Sequence, residues 1–578
     1  MNADLIIKNA YVYLTFRQCF VKRDVAVAGD RFYQILPKIP CAGEGEKSDL
    51  IGADTQIVDA GGSYMIPGLI DIHMHIESSM TYPEEFSRIV LPQGTTTVVA
   101  DAHEIANVFG LEGIRTFMDQ KTDLDVFYAI PSSVPATDWE FETAGAEIGE
   151  AETAQLLKDE RVLCLGEVMN FQQLTKEAEP ETKIRRLVRL CRDARGRDIR
   201  LEGHCPKISG PDLNRFIAAG IDADHTQQTS ESVIEKSDLG MFLELQHKSL
   251  TPEVVKTVDD HQLYENIALV TDDTMPDLLM EGQLNRIVHA AIANGMPVEK
   301  AIYCATYTPA RRMHLDDRGM IAPGKLADFI LLDDLQTISP RSVYKSGKCV
   351  EKKDWQASHY FPKRFYQSVL CRKAEPADFV LTAERADCRS VLTNVMKIHE
   401  FGTMTEAVQR EIPVRDGVIC WQEAGLCLVV IYERHGKNGN VARGLVEGAF
   451  SLAGAVATTW SHDSHNLFVL GNSPEDMLAA QQYLIAIQGG CAVAENGAVT
   501  AKAWLPVAGI LSDGPVEEIA RELGEVRAAM ERLGYRNNNV IMSMATLALP
   551  VSPALKLTDR GLLDVKTQQP VPLVAACI

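Results

Sequence analysis

Long hydrophobic runs are missing from this chain. No stretch reaches the roughly eighteen apolar residues that a membrane-spanning helix needs, and the start, Met1-Asn2-Ala3-Asp4, carries an early acidic residue instead of the basic flank of a secretory signal. A cytoplasmic protein is expected. Positive charge is also scarce: 57 Lys and Arg stand against 79 Asp and Glu, a net charge of −22. Such a balance repels phosphate backbones and anionic lipid, so neither nucleic acid nor a membrane is an expected partner, and a neutral or cationic small ligand is favoured. Cys-x-x-Cys pairs are absent. The thirteen cysteines are scattered and odd in number, which predicts reduced thiols and no disulfide framework. No internal repeat or low-complexity tract is visible. What remains is an ordinary globular composition, 46% apolar and 24% charged, spread over 578 residues, too many for one core and enough for two or three domains.

Residues 5 to 64 read as short strands (5–7, 11–14, 25–28, 32–35 and 57–59) punctuated by Gly29-Asp30 and Gly61-Gly62. A matching set follows Gly324, at 329–332 and 342–345. The two sets predict one small β-sandwich domain, residues 1–65 and 321–375, interrupted by a large insertion at 66–320. Within the insertion one grammar repeats: a short apolar run, a polar residue at its carboxyl end, then a segment of helical period. Eight such runs are found, at 69–75, 96–101, 125–130, 163–167, 199–204, 221–225, 241–245 and 267–272. Eight strands alternating with helices over about 250 residues predict a (β/α)8 TIM-like barrel, whose active-site face is formed by the strand carboxyl ends. Residues 376–578 change character, with strands near 426–432, 454–459 and 467–470 and a helix near 474–485, and predict a separate C-terminal α/β domain. The boundary falls within 360–378.

His73-Met74-His75 closes the first barrel run. Side chains two apart on a strand share a face, so both rings can reach one divalent ion. On the barrel reading they are joined at one mouth by Glu167, His204, His225 and Asp272, each at its own strand end. Neutral imidazoles and carboxylates suit Zn2+, Mn2+ or Fe2+. Six ligands exceed one tetrahedral ion and suit two ions bridged by a carboxylate and a hydroxide. Hydrolytic attack at neutral pH needs a hydroxide, which metal coordination supplies by bringing water to a pKa near 7. Asp272 is the first candidate for the proton shuttle, the alternative being a ligand only, with Asp273 capping a helix. His103 and Glu104 are candidates for a further ligand or a partner orienting an imidazole. A loop-capping role stays equally open for them. Glu77 and Ser78 are candidates for substrate contact, with helix capping as the alternative for the serines at 78 and 79.

These residues resemble the metal pattern of the amidohydrolase superfamily, and longer stretches narrow the likeness to bacterial adenine deaminases. They include Pro67-Gly68-Leu69-Ile70-Asp71-Ile72-His73-Met74-His75-Ile76-Glu77-Ser78-Ser79, Asp101-Ala102-His103-Glu104-Ile105, Gly166-Glu167-Val168-Met169, Ser461-His462-Asp463-Ser464-His465-Asn466 and Leu505-Pro506-Val507-Ala508-Gly509. The resemblance covers nearly the whole chain. It implies a binuclear centre, with manganese first and iron or zinc as alternatives, bridged by Glu167, which then counts with Asp272 as catalytic. It also implies conversion of adenine and water to hypoxanthine and ammonia in purine salvage.

The departures gather after the seventh strand, where the family's Arg-Glu-Gly-Ser is replaced by Gln246-His247-Lys248-Ser249. Gln246, His247 and Ser249 are therefore candidates for substrate binding, and three readings stay open: an adenine deaminase, a hydrolase of another aminopurine, heterocyclic amine or cyclic amide, and a noncatalytic metal-binding paralogue. In the last domain, His435 and the His462/His465 pair read as structural or interface residues, the sharper alternative being a loop that reaches over the barrel mouth. The apolar stretches 456–460 and 503–505 are expected to pack between subunits of a homo-oligomer, a dimer first.

Overall fold

The computed structural model describes residues 2–40, 48–175, 181–194, 196, 198–357, 361–385 and 387–578. Tyr360, the first residue of the expected domain boundary, lies outside them. The small β domain is an eight-stranded sheet drawn from both ends of the insertion: Leu5–Leu14, Cys19–Ala28, Arg31–Leu36, Gln56–Asp59 and Tyr64–Pro67 before it, Phe329–Leu332, Pro340–Lys345 and Lys348–Cys349 after it. The sequence predicts two strands at 5–7 and 11–14; the chain makes one, with a register shift between Ile7 and Ala10 where Asn9 takes a φ of 57°. A short polar side chain tolerates that left-handed conformation, so the bulge bends the strand without ending it.

The strand Tyr64–Pro67 pairs antiparallel with Phe329–Leu332, and after Gly68 alone the chain enters the first barrel strand, Leu69–Met74. A Cβ at Gly68 would collide with the Thr96 side chain, so only glycine permits this close passage. All eight barrel strands form: Leu69–Met74, Thr95–Ala100, Asp125–Ile130, Val162–Val168, Arg200–Gly203, Ala223–Asp224, Phe242–Leu245 and Ile267–Leu269. The first five run parallel as one sheet and the last three as another. Two backbone links close the ring. Asp222 N donates to Leu201 O at 3.3 Å between the fifth and sixth strands, and Asp272 N donates to His73 O at 3.1 Å between the eighth and first. Ile70, Ile72, Val99, Ala129, Cys164, Ala223, Phe242 and Ala268 fill the interior as one apolar cluster, as expected of parallel strands covered on both sides.

The C-terminal domain is built on a ten-stranded sheet that includes Ser390–Ile398, Cys427–Tyr432, Ala455–Thr458 and Leu467–Gly471, packed against the helices Pro474–Ile487 and Val516–Arg532. One expectation is corrected here. Cys388 and Cys577 form a disulfide, Cα atoms 5.6 Å apart, where the strand Val574–Cys577 pairs with Ser390–Ile398; the spacing of thirteen scattered cysteines carries no sign of which two the sheet will bring together. Of the stretches expected between subunits, Val456, Trp460, Ala503 and Leu505 are buried within the domain, and Trp504 is 46% exposed.

Lys556, on the strand Leu555–Thr558, is fully buried and donates to Thr403 O at 3.2 Å. Burial pushes its ammonium down to about 7. Between that value and the ordinary lysine range near 10.4 the unfolded chain binds more protons than the folded one, so stability rises with pH across the window and is lost as pH falls through about 7. Lys556→Met is therefore expected to raise the melting temperature at pH 7, by at most about 5 kcal/mol of stability at about 1.4 kcal/mol per pKa unit, with the gain fading toward pH 10. Calorimetry at both pH values checks this; an equal gain at each would reject the buried charge as its source.

Candidate metal centre

The first barrel strand slips in register against the second between Asp71 and Met74. Below the slip Ile70 and Ile72 face the barrel interior; above it His73 and His75 project into the mouth. Asp71 anchors this segment: its carboxylate accepts from Thr271 Oγ1 at 2.6 Å and Gln283 Nε2 at 2.6 Å, tying the first strand to the loop that carries Asp272. Burial pushes its pKa up to about 6, against the hydrogen bonds that oppose the rise.

Glu167 occupies the centre, and its two oxygens face different partners. Oε2 lies 2.7 Å from His204 Nδ1 and 3.1 Å from His225 Nε2. Oε1 lies 3.5 Å from His75 Nε2 and 3.7 Å from His103 Nδ1. On the opposite side, Asp272 Oδ1 stands 3.5 Å from His75 Nε2 and 3.8 Å from His73 Nε2. The His73 and His225 rings stack with centroids 3.7 Å apart. His73, His75, Glu167, His225 and Asp272 are all buried, and His204 is partly so. The structure thus gathers all six expected ligands, and His103 with them, into one cluster.

The surroundings set which atoms face inward. A carbonyl can only accept, so the 2.9 Å contact between His75 Nδ1 and Asp101 O fixes a proton on Nδ1 and turns Nε2 toward the cluster. Asp101 also accepts from Glu167 N at 3.2 Å through Oδ2, an approach open only because residue 166 is glycine, where a Cβ would strike that carboxylate. Ser132 and Ser133 donate to Glu167 O at 2.6 and 3.1 Å. Asp224, paired with buried Lys236 at 2.6 Å, holds the strand end before His225. Asp101 is a site residue with no role in the sequence reading, although it ends the second barrel strand by the same grammar that picks out Glu167.

Electrostatics and unpartnered atoms agree with a cation here. Burial alone would raise the Glu167 carboxyl, yet His225 and His204 hold it well below the usual range; Asp272 is held low in the same way by His73 and His75. His73 Nε2, His225 Nδ1, His103 Nδ1 and Asp101 Oδ1 are buried without a hydrogen-bond partner. Such atoms are costly unless something coordinates them. Three overlapping groups, His73/His75/Asp272, His73/Glu167/His225 and His75/His103/Glu167, each bring their donor atoms within 4.8 Å of one another. The donor set fits divalent metal.

The remaining expected residues divide. Glu77 and Ser78 lie in the buried turn Ile76–Ser79 beside the cluster. Glu77 accepts from Ile105 N at 3.2 Å, and burial, reinforced by Glu104, pushes it up to about 7. Ser78 Oγ donates to Asp273 at 2.5 Å and contacts Glu104 Oε1 at 3.2 Å. Asp273 is therefore not the helix cap of the alternative reading: the next helix, Pro276–Glu281, has Met275 at that position. Glu104 begins the helix His103–Met118 and is fully buried. After the seventh strand, Gln246 donates to Asp272 Oδ2 at 2.7 Å and His225 O at 2.9 Å. His247 and Lys248 point to solvent, and Ser249 Oγ is occupied by Gln228 N at 3.0 Å. Of that stretch Gln246 alone reaches the cluster, where its amide orients Asp272.

The C-terminal domain covers this mouth. Ser512 N donates to Met80 O at 2.8 Å, Val516 N to Glu85 at 2.9 Å and Asn466 Nδ2 to Thr143 O at 2.8 Å. His462 and Asp463 come within 4 Å of Glu104 and His103 respectively, so the loop 461–466 does reach over the barrel.

Residues 64–352 match the amidohydrolase family and residues 402–569 match the adenine deaminase C-terminal domain. The chain is 46% identical over 576 residues to adenine deaminase 2 of Oenococcus oeni, covering 100% of this chain and 99% of that protein. It is 46% identical over 573 residues to an adenine deaminase of Clostridium perfringens, with 98% of each covered. Among solved structures, a β-aspartyl dipeptidase of Fervidobacterium islandicum AW-1 aligns with 61% of this chain and 99% of its own, at 18% identity and a TM-score of 0.44. By full-length similarity to these relatives and by both family matches, the chain belongs to the adenine deaminase family of the amidohydrolases.

Proposed function

We propose that this chain hydrolyses adenine to hypoxanthine and ammonia, using two divalent metal ions, Mn2+ first among them, at the barrel mouth. The observation that carries the reading is the division of donors by Glu167: one oxygen toward His204 and His225, the other toward His75 and His103. A carboxylate so placed suits a bridge between two ions. When bound, such a pair supplies a nucleophilic water at neutral pH.

The side chains do the rest. Asp272 is ionised and buried, with Oδ2 fixed by the Gln246 amide and Oδ1 left toward His73 and His75. It accepts the proton released as the water attacks C6 of the base, then returns it toward the ring nitrogen or the departing amine. One C–O bond forms, the C6–N bond to the exocyclic amine breaks, and ammonia leaves. Glu77, Ser78 and Glu104 lie buried beside the cluster and carry hydrogen-bonding groups suited to the edge of a planar base.

Ammonia release by manganese-loaded protein from adenine, other aminopurines, adenosine, cytosine and cyclic amides tests the assignment. Adenine is expected to exceed every other compound in kcat/KM by about 10²-fold or more, the scale on which polar pockets discriminate. A different heterocycle at the head of that ranking would displace adenine. No turnover of any of them by protein holding two metals would mark a noncatalytic relative.

A further inference from the structure

A second set of donors converges where the C-terminal loop 461–466 meets the start of the helix His103–Met118. His103 Nε2 lies 3.9 Å from Asp463 Oδ2, and His462 Nδ1 lies 3.1 Å from Asp463 Oδ1 and 4.0 Å from Glu104 Oε1. His465 Nε2 stands 3.8 Å from Glu104 Oε2. The donor atoms of His103, His462 and Asp463 all fall within 4.8 Å of one another. Every one of these residues is buried, at no more than 5% exposure. Asp463 Oδ2, Glu104 Oε2, His462 Nε2 and both ring nitrogens of His465 have no hydrogen-bond partner.

Most of these separations are too long for hydrogen bonds. They are close to the distance between two ligands of one ion, since atoms about 2.1 Å from a tetrahedral metal stand roughly 3.4 Å apart. Two carboxylates and three imidazoles with idle lone pairs, closed off from water, call for a positive charge, and the neighbouring Arg434 guanidinium is directed to the carbonyls of His465, Ser368 and Ala508 and not to these carboxylates. We propose that this is a further divalent metal site, held by His103, His462 and Asp463 with Glu104 and His465 beside them. Its nitrogen and oxygen donors select an ion of the Mn2+, Fe2+ or Zn2+ class.

The position gives the site a job. Two of its ligands belong to the C-terminal domain and one to the barrel, so an ion there fastens the loop over the mouth. A neutral imidazole offers one lone pair, so His103 ligating here through Nε2, which faces Asp463, keeps its proton on Nδ1, the atom 3.7 Å from Glu167, and is not also a ligand of the barrel pair. Nothing in this inference requires adenine to be the substrate.

Metal content of the full chain decides it. Protein stripped by chelator, reloaded with Mn2+ and desalted is expected to hold about three equivalents by mass spectrometry. His462→Ala and Asp463→Asn should each lower the count to about two, and should abolish the part of the Mn2+-induced rise in melting temperature that a His73→Ala/His225→Ala variant keeps. That double variant should lose the barrel pair and retain one ion. A wild-type count of two, both lost in His73→Ala/His225→Ala, overturns the further site and leaves the barrel centre standing. A third equivalent that survives both His462→Ala and Asp463→Asn overturns it as well.

Discussion

Asp272→Asn is expected to keep the fold and the metal content and to lower kcat by at least about 10²-fold, the usual cost of removing a proton-transfer group. The substitution is nearly isosteric. Its amide oxygen can still accept from Gln246 Nε2, a bond now 2.7 Å long, so the loop after the eighth strand has no reason to move. What it loses is an anionic oxygen 3.5 Å from His75 and 3.8 Å from His73 that can take up a proton and release it again. The carboxyl is held well below its usual range by those two imidazoles, against the burial that would raise it, so it is ionised at neutral pH. A kcat within a few-fold of wild type, measured on protein with unchanged metal content, would reduce Asp272 to a ligand.

The larger loss is expected at Glu167. Replacement by Gln removes the one charge that faces both halves of the donor set and should release at least one metal equivalent. Activity is expected to fall by about 10³-fold or more, which corresponds to roughly 4 kcal/mol of transition-state stabilisation. The Gln side chain has the same length, and the backbone is fixed independently by Asp101 and by Ser132 and Ser133; a structural collapse is therefore not the expected route. Metal analysis alongside kinetics separates the possibilities, and full metal occupancy with near-normal turnover would remove Glu167 from the bridge.

Most of the barrel was legible because each strand is a short apolar run closed by a polar residue. Even the sixth, only Ala223–Asp224 in hydrogen-bonding terms, stands out as Ile221 to His225. The clustered side chains at the mouth were legible for the same reason, since a polar group at a strand's carboxyl end in this architecture has one place to point. Other parts were hidden by physics that does not write itself locally. The pairing of Cys388 with Cys577 spans 189 residues and depends on the last strand joining Ser390–Ile398 within the sheet. The fate of Gln246-His247-Lys248-Ser249 was decided by a turn that exposes two of its four side chains and gives a third to a backbone amide, and no substitution pattern announces that. His462 and Asp463 read as a polar loop because their partners, His103 and Glu104, belong to another domain. Asp101 was within reach and went unassigned: its carbonyl and its carboxylate do different work, and sequence shows only the second.

The single-residue joint at Gly68 has a mechanical consequence. A beam clamped at both ends does not swing: one end of this segment is paired with Phe329–Leu332, the other is bonded to the eighth strand through His73 O, and no slack lies between. The two imidazoles at its tip thus form the stationary jaw of the mouth. The facing side of the mouth is the loop 461–466, contributed by the far end of the chain.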